Sequence, residues 1–139
     1  MMPITRLVGI FLLALASVSA ASERPFTGAF KSWGRACNGG VYVRAKTIEW
    51  ISSWSICKPS PYEVLDRSAA DEPERIAFHI KQRSKTCLYE VVELVNNEGS
   101  WFAIGYQTLE AFRNRNDPEW RDSPLPERWT LACPMERRG

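Results

Sequence analysis

The chain has 139 residues, with 18 Lys plus Arg against 16 Asp plus Glu, one histidine and four cysteines. Its net charge of +2, lower by one once Arg6 leaves with the leader described below, argues against nucleic acid or an acidic membrane surface as the main partner. The length suits one domain and a modest core, since a chain of this size buries somewhat more than about 60% of its unfolded surface.

The first twenty residues fall into three zones: a basic start ending at Arg6, an apolar run from Leu7 to about Leu15, and a small-residue stretch through Ala21. That order predicts a secretory signal peptide over 1–20, with Val18-Ser19-Ala20 at the positions a signal peptidase inspects. The apolar run is shorter than the roughly 20 residues a membrane helix needs, and no cysteine follows the cut, so no stable membrane anchor is expected. The mature domain, 21–133, is expected in the periplasm or outside the cell.

Cys37, Cys57, Cys87 and Cys133 all lie in the mature part, where an oxidising compartment favours bridges. Their wide spacing, without a C-x-x-C pair, argues against a redox site and a zinc site. Two structural disulfides are predicted. Of the three connectivities, Cys37 with Cys57 and Cys87 with Cys133 is favoured, because the first pair flanks an apparent local hairpin.

Period-two alternation recurs along the chain. Ala29 to Arg35 and Val41 to Arg44 are short candidates, separated by Asn38-Gly39-Gly40. Thr47 to Cys57 follows, with Ile48, Trp50, Trp54 and Ile56 expected on the core face. Lys58-Pro59-Ser60-Pro61 reads as a turn, then Tyr62 to Asp66 as a strand and 67–74 as a polar connection. Arg75 to Lys81 alternates cleanly, Cys87 to Val95 is apolar on both faces, and Asn96-Asn97-Glu98-Gly99 is the clearest hairpin turn before Trp101 to Tyr106. Thr108 to Asn114 reads either as a short helix capped by Thr108 or as a continuation of the preceding strand. A loop over 115–127 with three prolines precedes a last strand, Arg128 to Cys133, and the tail 134–139 is expected to be disordered. The fold class is therefore all-β: a meander of about eight strands closed as a barrel, or alternatively folded as a sandwich.

Catalytic signals are sparse. His79 is the only histidine and is placed on the outward face of its strand, solvent-facing and inert, and bridged cysteines leave no thiolate. Glu49 and Glu63, on neighbouring strands, are the single carboxylate pair that a hydrolase reading would use. No ligand cluster, phosphate loop or dinucleotide fingerprint is evident, so no metal and no cofactor is expected. The six tryptophans stand out. Trp50 and Trp54 are assigned to the core, whereas Trp120 sits in the polar loop, flanked by Arg115 and Arg121, with Tyr106 ahead of it. These four form the candidate binding set.

Phe26-Thr27-Gly28-Ala29-Phe30, followed by Trp33-Gly34, resembles the opening of lipocalin-like (calycin) barrels, in which a Gly-x-Trp on the first strand closes one end. Phe30 stands where that family has Trp. The family also lays a basic residue, placed after the last strand, over this aromatic, and here Arg128 stands at the start of the last predicted strand, not after it. The resemblance implies an eight-stranded up-and-down barrel able to hold a small apolar ligand.

Export, bridges and the lack of a catalytic constellation predict a monomeric, non-enzymatic binding module. Its loop would recognise a protein partner in the manner of an inhibitor or immunity protein. The alternatives are a carrier of a small apolar ligand and a carboxylate-based hydrolase.

Overall fold

The computed structural model describes residues 24–122 and 130–139. The expected signal peptide over 1–20, residues 21–23, loop residues 123–127, Arg128 and Trp129 lie outside the described residues.

Eight antiparallel strands follow one another around a closed barrel: β1 (Gly28–Ser32), β2 (Gly39–Val43), β3 (Thr47–Ile51), β4 (Ile56–Arg67), β5 (Arg75–Ile80), β6 (Val91–Asn97), β7 (Ser100–Tyr106) and β8 (Thr130–Arg138). Each pairs with the next, and β8 returns to β1 through Ala29↔Arg138, Phe30↔Arg137 and Lys31↔Glu136. That closing ladder decides for the barrel over the sandwich, because it leaves no strand with an unpaired edge.

Alternation fills the interior. Phe30, Val41, Val43, Ile48, Trp50, Ile76, Phe78, Ile80, Val92, Leu94, Trp101, Ala103, Cys133 and Met135 form one buried cluster. A second, smaller cluster lies on the outer wall, where Ala77, Val91 and Tyr106 are covered by Ala111 and Phe112 of helix α1 (Leu109–Arg113). Thr108 caps this helix by accepting the Ala111 N–H at 3.0 Å, so the helical alternative holds here. The 115–127 loop contains one more turn of helix, α2 (Pro118–Arg121), begun by the Asp117 carboxylate and Pro118.

Several strand boundaries differ from the sequence reading. Thr47 to Cys57 is two strands joined by a turn, closed by Ser52 N–H donating to the Ser55 carbonyl at 3.0 Å. Trp50 is buried as expected, but Trp54 stands at the tip of the turn, 69% exposed. The short, polar Ser52, Ser53 and Ser55 stabilise the turn and break the alternation. Lys58-Pro59-Ser60-Pro61 is not a turn but part of β4. The ladder to β3 skips from Ile48↔Ser60 to Trp50↔Cys57, and the resulting bulge accommodates a proline that cannot donate. Residues 87–90 precede β6 instead of belonging to it, which leaves Leu88 exposed. The supposedly disordered tail is the second half of β8, held between β7 and β1 with Met135 turned inward.

The disulfides are Cys37–Cys133 and Cys57–Cys87, not the local pairing favoured from the sequence. Barrel closure sets β8 beside β1, and so brings Cys133 to the β1–β2 connection that carries Cys37. Cys57 opens β4, against the connection leaving β5 that carries Cys87. Both bridges lie toward one end, which we call the loop end, where connections 33–38, 52–55, 81–90 and the α1–α2 arm gather. At the opposite, arginine end, Arg137 lies over the rings of Phe26, Phe30 and Trp101 at 5.1, 5.4 and 5.5 Å.

Candidate functional site

The four candidate binding residues come together. Tyr106, Arg115, Trp120 and Arg121 line one pocket of about 420 Å³ on the outer wall, floored by Ile104, Ala111, Thr130 and Ala132. Outward positions on β7 and β8 supply Ile104, Tyr106, Thr130 and Ala132. The arm supplies the rest because the apolar side of α1 is drawn onto the wall and carries α2 with it.

A buried carboxylate anchors that arm. Glu93 points outward from β6 yet is only 4% exposed, because α1 and the segment after it cover it. Its Oε1 accepts the Tyr106 hydroxyl at 3.2 Å. Its Oε2 lies 3.5 Å from the Arg115 guanidinium, an ion-pair contact without hydrogen-bond geometry. Arg115 also donates to the Phe112 carbonyl at 2.8 Å, stacks over the Phe112 ring at 4.0 Å and approaches Asp66 at 3.9 Å. It is therefore the hinge pin between arm and barrel, and only its outer edge is available to the pocket. Burial first, and then the adjacent Glu93 carboxylate, push the Tyr106 hydroxyl well above the ordinary tyrosine range, with Arg115 opposing. Tyr106 thus stays a neutral donor in the floor of the site.

Residues with chemical potential elsewhere are tied up in structure. His79 faces outward as expected but is half-buried. Its Nε2 is 3.1 Å from Glu90 Oε1, and Glu90 Oε2 accepts the N–H of Leu109 at the start of α1, also at 3.1 Å. The His79–Glu90 pair therefore fixes where the arm leaves the barrel. Glu49 pairs with Arg44 at 3.3 Å, opposite the β4 bulge, while Glu63 is exposed farther along β4 opposite His79. The register does not set the two glutamates against each other. Among the described residues no group of three or more His, Cys, Asp or Glu could hold a metal ion.

The barrel interior is occupied by side chains. Phe30 and Phe78 are fully buried and Trp50 is 1% exposed, so no water-sized void touches more than a trace of their surface. Trp50 stacks on Tyr89 at 5.0 Å. At Gly105 a Cβ would sit 2.6 Å from both rings, so the β7 backbone itself closes the space beside them.

Two features escaped the sequence reading. Glu93 looked like one more polar position on an alternating strand, and only the arm folding back buries it. The second is an exposed apolar group at the loop end, Ile51, Trp54, Ile56 and Leu88, for which the serines around Trp54 were the one available signal. No protein-family model, no curated protein and no solved structure matches the chain.

Proposed function

We propose that this protein is an exported, non-enzymatic binding module that recognises a protein partner with the α1–α2 arm on the outer wall of its barrel. The observation that carries this reading is the convergence of Tyr106, Arg115, Trp120 and Arg121 on one pocket with an apolar floor and a cationic rim. Such a pocket suits an apolar side chain with an acidic neighbour, the pairing of anchor and rim that concentrates binding energy at protein interfaces. The two intramolecular disulfides accord with an oxidising location outside the cytoplasm.

Kinship with lipocalin-like barrels is supported by the arginine end. Gly28-Ala29-Phe30 lies on β1, and the basic residue over the aromatic is Arg137 at the end of β8, not Arg128. Gly28 is needed there, since a Cβ would stand 2.9 Å from the Phe30 ring and 3.2 Å from Arg137 Nε. The same kinship favours a carrier as the second reading. A carrier would need an internal cavity of about 300 Å³ or more, in the space where Trp50, Tyr89 and Gly105 are already in contact. The outer wall is therefore the better supported site.

The test is capture from a cell-envelope extract by the wild-type protein and by Trp120→Ala. A partner retained by the first and lost by the second supports the proposal, whereas an identical set of captured proteins removes the arm from consideration.

A further inference from the structure

Ile51, Trp54, Ile56 and Leu88 are exposed to solvent as one patch at the loop end. Ile51 and Ile56 face each other across the β3–β4 ladder, and Trp54 stands on the turn between them. Leu88 joins them because its N–H donates to Ser55 Oγ at 2.9 Å, while the Ile56 N–H donates to the Thr86 carbonyl at 3.0 Å. The Cys57–Cys87 bridge welds the two halves together, so the patch is presented with little conformational freedom left to lose on binding.

The charged residues on the segments that carry the patch are mostly basic. Lys58 follows Ile56 and Cys57 on β4, Lys81, Arg83 and Lys85 lie on the connection that carries Leu88, and Arg35 lies on the β1–β2 connection. Glu49, beside Ile51 on β3, is paired with Arg44, and Glu90 is engaged by His79 and the Leu109 N–H, while Arg83 donates to the Leu88 and Gln107 carbonyls. A near-neutral whole-chain charge thus conceals a local basic cluster beside the patch.

We infer that the loop end docks on the anionic headgroup surface of a phospholipid bilayer, with Trp54 and its aliphatic neighbours entering the interface and the lysines lying against the phosphates. Tryptophan favours that depth because it combines a large apolar face with one N–H donor. Basic residues near an anionic leaflet add attraction that falls off within a Debye length. A protein partner fits this patch less well. Interfaces between proteins are depleted in lysine and draw on about 20 residues a side, whereas four apolar side chains at a strand turn and its neighbouring connection, with lysines beside them, match a lipid surface. The inference rests on residues that do not line the pocket on the outer wall.

The experiment is co-sedimentation of the disulfide-bonded protein with vesicles of phosphatidylglycerol and phosphatidylcholine in equal parts, beside vesicles of phosphatidylcholine alone. The expected result is sedimentation with the anionic vesicles only, reversed by salt, with a blue shift of tryptophan emission. Trp54→Ser should weaken partition at least about fivefold, and Lys58→Gln and Lys85→Gln about fivefold each. All three positions are solvent-exposed, and an unchanged melting temperature will show that the variants are folded. Absence of binding to anionic vesicles, or binding indifferent to Trp54→Ser and to both lysine substitutions, overturns the inference. Patch variants that leave vesicle binding unaffected but lose a captured envelope protein also overturn it and give the patch to a protein partner.

Discussion

Arg137, the last inward-facing residue of β8, lies 5.4 Å over the ring of Phe30 on β1 and donates a hydrogen bond to the Thr27 carbonyl at 2.8 Å. One side chain thus joins the first and last strands and caps the aromatic end of the core. Arg137→Ala should cost about 1–2 kcal/mol, the sum expected for an exposed cation–π contact and a charged hydrogen bond. Arg137→Lys should recover less than half of that, since an ammonium lacks the planar face that stacks. Chemical denaturation of the three proteins checks both values.

The Asn96–Gly99 hairpin carries a correctable strain. Glu98 sits at φ 52°, the one non-glycine residue with positive φ among the described residues. A side chain branching from an L-residue crowds the following carbonyl there, and asparagine tolerates the conformation better. Glu98→Asn should raise stability by about 0.5–1 kcal/mol without disturbing either strand, and a higher thermal midpoint would register it.

Breaking the pin of the arm should be costly. Arg115→Ala leaves Glu93, 4% exposed, without its ion-pair partner, a loss of about 3–5 kcal/mol for a buried pair. Arg115→Ala with Glu93→Leu should recover much of the loss, because no uncompensated charge then remains buried. A double-mutant cycle in denaturant gives the coupling directly. Hydrogen exchange at Ala111 and Phe112 will report whether the arm lifts from the wall.

Alkali should destabilise the fold through its buried Tyr89 and Tyr106 and partly buried Tyr62. Tyr106 is raised by burial and by Glu93, and Tyr62 and Tyr89 by burial. A phenol with a folded-state pKa above its unfolded value of about 10 holds its proton in the native state after the unfolded chain has lost it. Stability is then fully present below about pH 10 and falls as the pH rises beyond it. Melting temperatures should be level from about pH 7 to 9 and decline above 10. Tyr106→Phe should make that decline shallower while lowering stability at neutral pH by about 1–3 kcal/mol, because Glu93 loses its hydroxyl donor.

What the sequence by itself determined is local. Ile76, Phe78 and Ile80 read as an inward row because a strand turns successive side chains to opposite faces, and the row holds. Trp101 to Tyr106 and the Asn96–Gly99 turn were legible for the same reason, and the Thr108 cap was one of two readings that short-range rules allowed. Composition and turn spacing gave eight strands but could not choose between barrel and sandwich, since both satisfy the same alternation. The gathering of Tyr106, Arg115, Trp120 and Arg121 was half legible: the aromatic and the arginines marked the loop, but nothing in it named the wall it would cover.

Only the tertiary structure decided who stands next to whom across the closure. Cys133 meets Cys37, and Arg137 meets Phe30, because β8 pairs with β1 from the far end of the chain, a long-range contact that no short window encodes. Glu93 became a buried charge, and Trp54 an exposed tip, for a related reason. Burial is a property of what folds over a position as much as of the residue there, and the covering segment is set by barrel curvature and strand order, not by neighbouring sequence.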